Sequence, residues 1–171
     1  MKFHIDELEK RWIYMVAGIV LLAWGVQIYF AAVKNTHPPS NLEVIDSAQL
    51  HLKTGAGGDE FSETNIGVKR DAKGMLVVRM VAARYGFYPQ RIVLPQGEPF
   101  KLRVASFDVL HGLYVPMSNV NLMLVPGFIS QMTTVLNKTG EFPIMCHDFC
   151  GKGHAYMFGH VKIVPANQFK L

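Results

Sequence analysis

Twelve consecutive residues near the C-terminus, Cys146-His147-Asp148-Phe149-Cys150-Gly151-Lys152-Gly153-His154-Ala155-Tyr156-Met157, carry two thiols, an imidazole and a thioether in the spacing C-x3-C-x3-H-x2-M. Sulfur donors beside an imidazole select copper, zinc or iron over calcium or magnesium, which prefer oxygen. The methionine shifts the balance toward copper, because structural zinc sites are built from Cys and His. A mononuclear blue-copper site takes one Cys, two His and a weak axial Met, so this stretch holds one thiol in excess. Two cysteines four positions apart can instead bridge two copper ions, each thiolate shared. They can also close a local disulfide in an oxidising compartment, and a count of two cysteines does not choose between these readings. A two-copper centre needs a second imidazole. His111, in Phe107-Asp108-Val109-Leu110-His111-Gly112, is the best candidate. Asp108, three residues earlier, is suited to orient the site from behind. His147 and His160 fall off the ligand spacing, and His4, His37 and His51 carry no signal.

The series His111…Cys146-x3-Cys150-x3-His154-x2-Met157 resembles the binuclear CuA site of cytochrome c oxidase subunit II. Ser106-Phe107-Asp108-Val109-Leu110-His111-Gly112, Met157-Phe158-Gly159 and Tyr85-Gly86-Phe87-Tyr88-Pro89 also match that family. The resemblance implies that Cys146 and Cys150 bridge both coppers and that His111 and His154 each bind one. It implies Met157 as a weak axial ligand and the backbone carbonyl of Asp148 as its counterpart on the other copper. The family has Glu or Gln at that last position, where a Glu can also bind magnesium; Asp148 is one methylene shorter. The implied activity is electron transfer from a cytochrome c to haem in a catalytic haem-copper subunit, where oxygen is reduced and protons are translocated. The haems belong to that partner. A single span and short chain resemble the compact subunit II of B-type haem-copper oxidases. There a carboxylate placed like Glu9 sits at the mouth of the proton-uptake path, whereas the plain reading of Glu9 is a solvated flank charge.

Positioning such a centre requires a rigid scaffold. Trp12 to Val33 is a twenty-two-residue stretch without a charge, about 33 Å of helix and enough to cross a bilayer core. Lys2, Lys10 and Arg11 precede it and only Lys34 follows closely, so residues 1–11 are expected in the cytoplasm, 12–33 in a bacterial or archaeal membrane and 34–171 outside it. A linker and short helical or irregular region are expected over 34–74, with a helix from Glu43 to Lys53 ended by Gly55-Ala56-Gly57-Gly58. From residue 75 to 171, short β-rich runs at 76–83, 91–94, 100–106, 110–115, 128–136, 141–146 and 159–164 alternate with turns. That rhythm predicts an antiparallel sandwich or barrel, and the resemblance makes it a cupredoxin-like Greek-key β-sandwich. Lys101 and Arg103 are expected to face outward.

The sequence pI is about 9.1 and the formal net charge +4. The basic residues are scattered rather than interleaved with aromatics, which argues against nucleic acid. A positive outer domain also argues against an acidic docking patch. Apolar docking of the cytochrome is expected instead, including Tyr85 or Tyr88 and depending little on salt. Met117, Met123, Met132 and Met145 are read first as core. The competing functions are a membrane-tethered copper-delivery protein and the CuA subunit of a nitric oxide reductase.

Overall fold

The computed structural model describes residues 5–34, 39–50 and 60–171, which form two units, a helix and a β-domain. The helix, α1, runs from Glu7 to Ala32. Asp6 caps it by accepting from the backbone of Leu8 and Glu9 at 2.6 and 3.1 Å. The Glu9 carboxylate reaches back to the Asp6 N–H at 3.3 Å, completing a capping box. Twenty-six residues give about 39 Å of helix, and none of them is buried. Tyr29 and Phe30 pack edge to face near the C-terminal end, with Lys34 over the Tyr29 ring. An aromatic and a cation at the end of a bare apolar helix suit a membrane interface.

The β-domain is built from eleven strands among the described residues: β1 (Ser40–Val44), β2 (Gly67–Arg70), β3 (Leu76–Ala83), β4 (Gly86–Tyr88), β5 (Arg91–Pro95), β6 (Phe100–Ser106), β7 (His111–Tyr114), β8 (Asn121–Leu124), β9 (Phe128–Thr134), β10 (Gly140–Met145) and β11 (Phe158–Val164). One sheet has the order β1-β9-β6-β3-β2 with β4 on β3; the other has the order β5-β11-β10-β7-β8. Period-2 alternation sends Leu76, Val78 and Met80, Leu102 and Val104, Leu113, Leu122 and Leu124, and Val161 and Ile163 into one shared core. The sandwich is therefore as expected, but it is mixed rather than antiparallel. β3 pairs with β6, and β5 with β11, in parallel. Parallel neighbours need a long crossover, and the path from β3 to β6 supplies one through β4 and β5.

Two findings depart from the sequence reading and share a cause. Strands β1 and β2 precede residue 75, where only linker and short helical or irregular chain are expected. Glu43 and Val44 lie in β1, not in a helix; a 3-10 turn follows at Ser47–Gln49, and residues 51–59 lie outside the described set. Arg103 does not face solvent: it is 8% exposed. On the outer face of the first sheet, Ile45, Leu50 and Phe61 pack on Ala105 and Ile129. β6 is thus covered on both faces, so alternation alone misplaces its polar residues. The buried guanidinium is satisfied by Glu43, Glu60 and Gln131 at 2.6–2.9 Å.

Candidate metal centre

The chemistry-bearing residues meet where β7 begins and where β10 gives way to the loop before β11. His111 is the first residue of β7 and is wholly buried. The turn between β6 and β7 presents Asp108, whose Oδ1 accepts from the Val109 N–H at 2.7 Å and pairs with His111 Nε2 at 2.8 Å. Its Oδ2 accepts from the Arg84 N–H at 2.9 Å and lies 3.4 Å from Arg84 Nε. Burial pushes the Asp108 carboxyl up, but the bonds from His111, Arg84 and Val109 outweigh it and leave the group below the ordinary carboxylate value. An ionised carboxylate can only accept, so Nε2 is the ring nitrogen of His111 that donates to Asp108, and Nδ1 is the one left to face the sulfurs. That Nδ1 faces Cys146 Sγ at 3.9 Å.

The other donors come from the loop. Cys146 and Cys150 are free thiols with Sγ atoms 3.8 Å apart, well beyond the roughly 2.05 Å of a disulfide bond. Cys150 Sγ lies 3.7 Å from His154 Nδ1 and 3.7 Å from Met157 Sδ. Cys146 Sγ lies 3.2 Å from the carbonyl oxygen of Asp148. Each thiol thus has its own imidazole, and the two sulfurs form the shared edge between the two halves. Among the described residues, His111, Cys146 and Cys150 hold ligand atoms within 4.8 Å of one another. Burial and the neighbouring Cys146 push the Cys150 thiol up to about 11. Two adjacent thiolates in this enclosure therefore call for a compensating cation.

The remaining candidates stand apart from the sulfurs. The His147 ring lies over Gly112, where a Cβ would come 2.6 Å from its Nδ1, and packs edge to face with Tyr114. His160 packs on Phe158. The side-chain Oδ2 of Asp148 is buried without a hydrogen-bond partner among the described residues. Glu9 lies in the first turn of α1, engaged in the capping box. Tyr85 and Tyr88 are 40% and 50% exposed, the former with its ring against Gly151 and Gly153 of the loop. Of the four methionines read as core, Met132 is buried, whereas Met117, Met123 and Met145 are exposed. Met123 and Met145 sit at outward-facing strand positions, where the pleat leaves no core to enter. Phe149 and Tyr156, at 79% and 80% exposed, were not singled out from sequence. Their available signal is position, since aromatics inside a glycine-rich ligand loop have no sheet face to bury against.

Residues 78–164, from β3 to the end of β11, match the family model for the periplasmic domain of cytochrome c oxidase subunit II. A cytochrome c oxidase subunit 2 of Thermus thermophilus is 28% identical over 160 residues, covering 91% of this chain and 90% of the relative. Another subunit 2 from Thermus thermophilus is 35% identical over 126 residues, covering 74% of this chain and 90% of that protein. In fold, the chain resembles one from a haem-copper terminal oxidase dimer solved by electron cryo-microscopy, with a TM-score of 0.65, 22% identity, and coverage of 92% and 100% of the two chains. The sandwich whose β10–β11 loop gathers two thiols, an imidazole and a thioether beside a buried histidine thus belongs to the cytochrome c oxidase subunit II family, a component of haem-copper oxidases.

Proposed function

We propose that this chain receives electrons for its oxidase through a binuclear copper centre, taking them from a cytochrome c and passing them toward haem in the catalytic subunit. The observation that carries this reading is the pair of free thiols 3.8 Å apart, each backed by one imidazole nitrogen. Thiolate, imidazole and thioether donors together suit copper. Cys146 and Cys150 would bridge, His111 and His154 would each bind one ion, and Met157 and the Asp148 carbonyl would contribute weakly. When bound, two copper ions sharing the thiolates supply one-electron transfer with little change in bond length. The chain's own part is to hold these donors still. Asp108 orients His111, β7 and β10 fix His111 and Cys146, and Met157, 2% exposed, holds its sulfur inside the core beside Cys150. Cysteines only 9% and 6% exposed suit a permanent centre better than an exchangeable delivery site.

The helix supports a single-pass arrangement with residues 1–11 inside and the β-domain outside, and lipid around α1. The exposed rings of Phe149 and Tyr156, with Tyr85 against the loop, offer an apolar landing for the donor, and Tyr88 at the end of β4 is a further exposed ring that it could reach. Glu9 remains a candidate for proton uptake, with its capping role as the alternative; unchanged turnover in Glu9→Gln would exclude the former. Electron acceptance is tested by mixing reduced cytochrome c with oxidised complex. Wild-type haem should become reduced. In Cys146→Ser/Cys150→Ser it should stay oxidised with cytochrome c yet respond to dithionite. Haem reduction by cytochrome c at the wild-type rate in that variant would overturn the proposal.

A further inference from the structure

The loop from Cys150 to His154 is a weak place to mount two metal-binding side chains. Its three intervening residues are Gly151-Lys152-Gly153, and glycine leaves a chain more conformational freedom than any other residue. Gly151 is at φ +127°. Among the described residues, the turn's backbone bonds are His154 N–H to the Gly151 carbonyl and Tyr156 N–H to the Gly153 carbonyl, both at 3.0 Å, and Met157 N–H to the His154 carbonyl at 3.1 Å; the one side-chain contact within it is the 3.7 Å approach of Cys150 Sγ to His154 Nδ1. Something outside the loop has to hold it.

The two glycines present bare backbone to one ring. A Cβ at Gly153 would lie 2.5 Å from Cγ of Tyr85, and one at Gly151 would lie 2.7 Å from its hydroxyl oxygen. Both are closer than real Cβ contacts allow, so ring and loop fit only because these positions lack side chains. The residue just before Tyr85 serves the other half of the site: the Arg84 backbone N–H donates to Asp108 Oδ2 at 2.9 Å, while Asp108 Oδ1 pairs with His111 at 2.8 Å. Two consecutive residues in the turn between β3 and β4 therefore touch both histidine arms. Arg84 reaches His111 through Asp108, and Tyr85 reaches Cys150 and His154 through the glycines.

We infer that the Arg84-Tyr85 turn is a clasp that sets the two histidine arms relative to one another, with Tyr85 as a positioning residue for the Cys150–His154 loop. The part concerning the metal rests on the reading of this site as a two-copper centre; the part concerning the loop does not. The clasp is a backbone N–H and a ring face. The Arg84 side chain, 48% exposed, adds little.

The test uses the full-length chain with Tyr85→Ala, Tyr85→Phe and Gly153→Ala. In metal-free protein the readout is the alkylation rate of Cys150, which is 6% exposed. Tyr85→Ala and Gly153→Ala should each raise it about tenfold, because a released loop opens locally more often, while Tyr85→Phe, which keeps the ring, should leave it within about twofold. In copper-loaded protein the readouts are the copper hyperfine pattern and the rate of copper loss to a chelator. Both should change in Tyr85→Ala and not in Tyr85→Phe. A general loss of stability would speed alkylation of every buried thiol alike, so Cys146 serves as the internal reference, and equal acceleration of both thiols overturns the inference. So does a Tyr85→Ala protein with wild-type alkylation and hyperfine pattern. If wild-type protein fails to load two coppers, the proposed function falls, and the alkylation series still decides the clasp.

Discussion

Replacing Arg103 with methionine removes a buried cation while keeping much of its stem. The guanidinium makes five hydrogen bonds: two to Glu43 at 2.9 and 2.7 Å, two to Glu60 at 2.6 and 2.9 Å, and one to Gln131 at 2.7 Å. Removing one partner of a buried ion pair costs about 3–5 kcal/mol. The two carboxylates are 45% and 26% exposed, so water recovers part of that loss. Arg79, 3.2 Å from Glu60, recovers more. The lower end, about 3 kcal/mol, is the expected cost. For a domain of this size that lowers the melting temperature by about 10 °C.

The same substitution changes the acid limb. Hydrogen bonds from Arg103 hold Glu43 at about 2, below its ordinary 4.5. A depressed carboxylate value contributes stability that is complete above the unfolded value and disappears as pH falls through the folded one. Wild-type protein should therefore lose this contribution between about pH 4.5 and 2, and Arg103→Met should show a flatter dependence across that window. Arg103→Lys should not rescue, because a point charge cannot serve two carboxylates in fork geometry. Circular dichroism melts of the full-length chain in detergent read both effects. A fall of less than about 3 °C with an unchanged acid limb would refute the reasoning.

Asp108→Asn should weaken copper binding about 10- to 100-fold in chelator competition, because an amide can donate to His111 Nε2 and no longer fixes the tautomer; unchanged affinity would remove Asp108 from the site. Tyr156→Ser should slow reduction by cytochrome c about tenfold while leaving the copper spectrum unchanged, whereas Phe149, whose ring lies 5.8 Å from that of His154, is expected to alter both when replaced. Raising salt from low to physiological strength should change the wild-type rate little, and a steep fall would mean docking by charge instead.

The metal-binding loop was legible because all its sulfur donors and one imidazole lie within twelve residues between two strands. His111 is remote in sequence, and its neighbouring motif identified it better than any spacing could. The seven expected strands all appear, with ends shifted by a residue or two. β1 escaped notice because it follows adjacent prolines and its large residues, Leu42 and Val44, are 86% and 78% exposed; backbone pairing to β9 holds it, not an apolar face. β4 is three residues long and ends before a proline. Arg103 was misread because alternation reports which face a residue takes, not whether a distant segment covers that face. The Tyr85 contact could not be read at all, since it depends on a ring meeting two glycines more than sixty residues away.

The central claim is that Cys146 and Cys150 share two copper ions. Electron paramagnetic resonance of the oxidised, copper-loaded protein tests it most directly, alongside metal analysis. One unpaired electron spread evenly over two copper nuclei of spin 3/2 gives seven hyperfine lines, and two coppers per chain should accompany them. Four lines, one metal per chain, or zinc in the purified complex would contradict the account.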